Sequence, residues 1–139
     1  MSKIELARLL DGMTAVEEKL IALEERKSKT VIRAPAEELS ALLSAQQPLL
    51  MQFAALENKR QALQDALGIG KEELFNILGQ ADTEEDYILS SAFLRLRDTS
   101  MRLKKLNDLN GRVVRAKLET KKNLLYILGI EEEQPTYTR

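Results

Sequence analysis

From Leu6 the chain sets apolar residues at alternating steps of three and four, through Leu9, Met13, Val16, Leu20 and Leu23. That spacing follows one side of an α-helix. The opposite, polar face carries Glu17, Glu18, Glu24 and Glu25, and the pattern fades through Lys27, Ser28, Lys29 and Thr30 toward Pro35. A proline there ends the helix, which places its last turn near Ile32. Pro35 suits the first turn of a second helix, with Glu37 and Glu38 at the positive end of its dipole. The second stripe runs through Leu39, Leu42, Leu49, Phe53, Leu56, Leu63 and Leu67, and Gln46 and Arg60 fall on the same line. Pro48 lies inside this pattern and either kinks the helix or divides it, because it lacks an N–H and its ring meets the carbonyl four residues back. Gly68 and Gly70 stop the element.

Residues 71–78, KEELFNIL, read as a short helix closed by Gly79, with Leu74, Phe75 and Leu78 expected to plug one end of a bundle. The run DTEED then signals a helix start, where Asp82 or Thr83 can cap and Glu84, Glu85 and Asp86 favour the N-terminal end. Leu89, Ala92, Leu96, Leu103, Leu106, Val113, Leu124 and Ile127 keep heptad spacing from there to Gly129, with no proline between. The closing stretch IEEEQPTYTR has no period and reads as a flexible tail. The expected fold is therefore all-α: an elongated antiparallel bundle of three long helices plus one short connecting helix, a single domain over 1–129, and a mobile tail over 130–139.

Helix lengths bear on function. At about 1.5 Å per residue the first two helices span roughly 45 Å each and the last roughly 70 Å. Laid side by side, about a dozen C-terminal residues of the last helix overhang, among them Leu118, Leu124, Leu125, Ile127 and Leu128. An uncovered stripe of that kind calls for a partner helix or a second subunit. The alternative is a bend near Asn107 to Gly111 that folds the end back.

Composition narrows the chemistry. Of 139 residues, 44% are hydrophobic and 31% charged, enough for one core and a solvated surface, while aromatics are 4% and Leu, Ala, Glu, Lys and Arg dominate, which disfavours strands. There is no cysteine and no histidine, so disulfides, thiolate or imidazole metal sites, Cys nucleophiles and the usual general base near neutrality are absent. The pairs Glu72, Glu73 and Glu84, Glu85 fit helix starts better than acid-base or metal work. Neither enzyme activity nor a metal or other cofactor is expected. The start MSKIELARLL, interrupted by Glu5 and Arg8, is no secretory signal, and no apolar run is long enough to span a bilayer, so a cytoplasmic protein is expected.

Ten basic residues stand between Leu94 and Lys122 against Asp98, Asp108 and Glu119, so this segment is +7 in a chain of net −1. No aromatic residues interleave with them to stack bases, and nucleic acid is not the expected partner. A solvated face paired loosely with acids of the first helix is the simpler reading.

Within residues 103–129, LKKLNDLNGRVVRAKLETKKNLLYILG, Asn107 and Asn110 stand three apart beside Leu103, Leu106, Val113 and Val114. Amides at an apolar stripe are costly unless partnered, and they commonly fix register. This pattern resembles the last helix of the FlgN family of flagellar export chaperones, with its leucines followed by Asn-x-x-Asn-Gly. Residues 48–69, PLLMQFAALENKRQALQDALGI, are similar to that family's second helix. The resemblance implies a chaperone that binds the C-terminal amphipathic helix of hook-associated proteins, prevents their premature assembly and delivers them to the export apparatus. It implies cargo binding by Leu103, Leu106, Asn107, Asn110, Val113, Val114, Leu118, Leu124, Leu125 and Leu128. Tyr137, beside Thr136, is similar to the family's C-terminal tyrosine region, which implies docking at the export gate or export ATPase complex and contact with the membrane only through that apparatus. The alternative is a generic coiled-coil scaffold or tether that acts through self-association, and a homodimer fits either reading.

Overall fold

The hydroxyl of Ser2 accepts a hydrogen bond from the Glu5 backbone N–H at 3.2 Å, and from this cap the first helix, α1, runs over Lys3–Arg33. The computed structural model describes residues 2–33 and 36–127, with side chains for 2–29 and 37–112. After Pro35, α2 covers Ala36–Ala66 as one helix with Pro48 inside it. Pro48 and Ser44, whose carbonyl loses its intrahelical partner, are both exposed, so water can take the place of the missing donor.

Gly68, at φ 70°, ends α2 in the left-handed conformation that glycine adopts without strain. The Gly68 N–H donates to the Asp65 carbonyl and the Ile69 N–H to the Gln64 carbonyl, both at 3.0 Å, which satisfies carbonyls of the last turn. Gln64 also donates through Nε2 to the Ile69 carbonyl at 2.9 Å. The turn drives Ile69 into the core, where it is buried. Helix α3 follows over Lys71–Gly79, and α4 over Glu84–Ile127. Thr83 caps α4, its Oγ1 accepting from the Asp86 N–H at 3.1 Å.

Contacts between α1 and α4 fix their direction. Lys3 pairs with Asp86 at 2.6 Å across 83 residues of sequence, Arg95 with Asp11 across 84, and Ser100 with Glu17 across 83. A constant offset means that the two helices run parallel, with α2 antiparallel to both. The expected three-helix architecture is therefore present. Carried forward, the offset sets Arg33 level with about residue 116, and α4 continues for about eleven residues, or roughly 16 Å, to Ile127. It is unbroken through Asn107 and Gly111, where a fold-back would have to begin. The expected helix end at Gly129 and the tail over 130–139 lie outside the described residues.

The apolar core sits at the end where α1 and α4 start. Leu6, Ala7, Leu10 and Met13 meet Leu89 and Ala92 of α4, with Ile69 and Ile77 closing the end and Phe53, Leu56 and Leu63 of α2 against them. Two details differ from the expectation. Phe75 does not plug the bundle; it is 80% exposed and Leu78 is 37% exposed. On a helix this short, Leu74 and Ile77 share the inward side, and the 100° step from Leu74 carries Phe75 outward. The second difference is that α1 buries more than one stripe. Residues 6, 13 and 20, residues 7, 14 and 21, and residues 10, 17 and 24 are all buried, because α2 and α4 both rest on this helix. Glu17 and Glu24, read from the sequence as polar-face residues, belong to the third of these rows.

Arg60, on the stripe of α2, is neutralised locally, with Nε donating to Glu57 at 2.8 Å and Nη1 to Gln64 at 2.6 Å. Along α4, Arg95 pairs with Asp11 and Arg102 with Glu25, as expected of loosely paired surface charges. Both pairs are about half exposed and contribute little to stability. Among the described residues, no helix is long and apolar enough to cross a membrane.

Truncating Leu89 to alanine should lower stability by about 3 kcal/mol, because a fully buried leucine leaves a cavity. Phe75→Ala should stay within about 0.5 kcal/mol of wild type, as for an exposed site. Urea unfolding followed by circular dichroism checks both, and a large loss for Phe75→Ala would contradict its outward placement.

Candidate functional site

Helices α2 and α4 both pack on α1, yet among the described residues no Cα of α2 lies within 8 Å of α4. The gap between them is a groove. Leu20 of α1 lines its bottom, Leu50 and Phe53 come from α2, and Ser100, Leu103, Lys104 and Asn107 come from α4. Leu50 is 49% exposed and Phe53 half-buried. The stripe of α2 is thus only partly covered, since a helix that touches one neighbour cannot hide the full width of its apolar face.

At its far end the groove is closed by a polar junction. Glu24 of α1 is 4% exposed. Its Oε1 accepts from Gln46 Nε2 of α2 at 2.7 Å, and Lys27 Nζ lies 3.6 Å from the same oxygen. Asn110 of α4, 2% exposed, donates from Nδ2 to the Glu24 backbone carbonyl at 2.9 Å and to Glu24 Oε2 at 2.5 Å. Asn110 Oδ1 in turn accepts from the Ser28 hydroxyl. Three long helices are therefore tied through one buried carboxyl group whose acceptors are all used, the condition under which burying it is tolerable.

Two turns earlier on α1, Glu17 is 2% exposed. Its Oε1 accepts from the Ser100 hydroxyl at 2.6 Å. Burial pushes the carboxyl above its ordinary value of 4.5, and the Ser100 hydrogen bond opposes that only in part.

The residues expected to bind a partner are split by this geometry. Leu103 and Asn107 face the groove. Leu106 lies on the other flank of α4, in a shallow depression with Glu25, Arg102, Leu109 and Arg112. Asn110 points inward to the junction. Val113, Val114, Leu118, Leu124 and Leu125 sit on α4, but their side chains lie outside the described ones, and Leu128 and Tyr137 lie outside the described residues altogether. The groove also contains Leu20, Leu50, Phe53 and Ser100, which the sequence reading did not single out as site residues. Leu20 and Phe53 stand on the apolar stripes of the sequence, where they read as core, and the row Leu10, Glu17 and Glu24, spaced by seven, marks the side of α1 beneath the groove, which a purely apolar search passes over.

Among protein families, the model described as FlgN protein matches residues 1–139, the full chain. No curated protein and no solved structure matches it.

Asn110→Ala should cost about 2 kcal/mol, because it strips donors from a buried carboxyl group and leaves the Ser28 hydroxyl without its acceptor. Thermal unfolding reads this directly, and an unchanged midpoint would contradict the junction. Glu17→Gln should raise stability by about 1 kcal/mol at pH 7.5, where the wild type must bury a charge that its unfolded chain keeps solvated. A carboxyl group with a raised folded-state value takes up its proton earlier in the native state, so wild-type stability gains as pH falls toward 4.5. The advantage of Glu17→Gln should shrink over that interval in paired urea titrations, and a constant difference would count against the burial of a charge.

Proposed function

The chain belongs to the FlgN family of flagellar export chaperones, and from that premise we propose that it acts in the cytoplasm as the carrier of hook-associated proteins. It holds their C-terminal amphipathic helix, keeps them from assembling early and delivers them to the export apparatus. The observation that carries this reading is the groove between α2 and α4, in which Leu20, Leu50, Phe53 and Leu103 form an apolar line flanked by polar rims. An amphipathic helix laid into such a groove buries its stripe against both walls, a recurrent mode of peptide recognition. Val113, Val114, Leu118, Leu124, Leu125 and Leu128, the apolar positions that follow Asn110 in the sequence, contribute to the same grip. Leu103 and Asn107 contact the cargo, Leu106 contributes from the opposite flank, and Asn110 acts by holding α4 at the right height. Tyr137 serves delivery rather than grip, by docking at the export gate or export ATPase complex.

In a pull-down, hook-associated proteins should be retained by the wild type and lost by Leu103→Asp and by the pair Val113→Asp, Leu124→Asp, with helical circular dichroism spectra unchanged. Equal retention would sink the groove reading, and a concentration-dependent dimer that captures no cargo in sedimentation would favour self-association instead. Tyr137→Ala should leave cargo binding intact and lower secretion of hook-associated proteins at least several-fold; normal secretion would remove Tyr137 from delivery.

A further inference from the structure

Among the described residues, Glu17 Oε2 is a buried side-chain oxygen with no hydrogen-bond partner. It belongs to a side chain that lines the groove beside Leu20, Phe53 and Leu103. The neighbouring carboxyl group differs, since Glu24 is filled by Gln46 and Asn110. Native proteins leave few buried acceptors unpaired, because an unmade hydrogen bond in a water-poor site is costly. The unfilled acceptor of a residue that lines a groove suited to a helix is accounted for if the carboxyl group turns to a donor that the occupant brings.

The surrounding charges say which donor. Lys27 stands 3.6 Å from Glu24 and Lys104 also lines the groove, so a cation carried in by a partner would be a third positive charge in a groove with two carboxyl groups. A neutral amide or hydroxyl adds a donor without upsetting that balance. A wholly apolar helix would leave the buried oxygen unpaired, which discriminates against such partners. We propose that Glu17 sets the groove's specificity, accepting through Oε2 a hydrogen bond from one Asn, Gln, Ser or Thr set into the apolar face of the bound helix. The assignment rests on the groove being the cargo site.

The test is calorimetric titration of the full-length chain with synthetic peptides of the C-terminal helices of hook-associated proteins. For a peptide that binds, each Asn, Gln, Ser and Thr of its apolar face is replaced by alanine in turn. One replacement should weaken binding to the wild type by about tenfold, the effect of one lost buried hydrogen bond. Glu17→Met should weaken the native peptide to a similar extent yet bind the donor-less peptide no worse than the wild type does. If no replacement weakens binding to the wild type by more than about threefold, or Glu17→Met and wild type bind every peptide alike, the proposal is overturned. Leu103→Asp separates the two levels: if the wild type takes no peptide, or Leu103→Asp binds as the wild type does, the groove reading fails and the role of Glu17 falls with it. Loss of binding in Leu103→Asp alone, with Glu17→Met behaving as wild type, overturns only the latter.

Discussion

The buried carboxyl group of Glu24 constrains the bundle more tightly than its apolar core does. Leucines at one end attract one another without direction, and a helix could slide by a residue with modest loss. Hydrogen bonds do not permit that. Gln46 must reach Glu24 from α2 while Asn110 reaches the same residue from α4, at its carboxyl and its backbone carbonyl together. Moving any one helix along its axis would strand a buried donor or acceptor, with a penalty larger than the gain from the original contact. The heights of α2 and α4 on α1 are thereby set, and so is the spacing between them.

The groove follows from that arrangement. Because α1 supports both neighbours, it is buried across three rows of side chains, whereas α2 touches chiefly α1 and has a stripe that is mostly only half-buried. The closed apolar end and the polar junction hold the walls at their two ends, and between them Leu50, Phe53 and Leu103 remain only partly covered. A third contact, between α2 and α4, would have completed an ordinary three-helix core and removed the surface.

Much of the fold was legible because its boundaries rest on local chemistry. Pro35, Gly68 and Thr83 act through backbone geometry or a single hydrogen bond within a few residues, and the structure places helix ends beside them. The interior was harder to read. Glu17 and Glu24 keep the spacing of buried residues but have the chemistry of surface ones, and only the donors supplied by Ser100, Gln46 and Asn110, distant in sequence, reconcile the two. Asn110 was legible as a device that fixes register, since an amide on an apolar stripe needs partners, but those partners were not. The separation of Leu103 from Leu106 onto different flanks of α4 depends on where α1 crosses beneath them, which spacing alone does not contain. Phe75 failed for the opposite reason: its hydrophobicity suggested burial, while the direction of a single helical turn decided its exposure.

A chaperone that must both grip and release faces opposing demands on such a groove. Deep apolar walls would hold cargo firmly, yet in the free protein they would favour self-association. Short walls avoid this but bury little area on binding. Here the apolar line is bounded by Lys27 and Lys104 on the rims, and the rigid points, the Leu6 to Leu89 core and the Glu24 junction, lie away from its middle. On the proposed function, the walls accept and lose a helix without disturbing the contacts that keep the bundle folded. Stability resides in the core and the junction, and the proposed binding in the partly covered stretch between them.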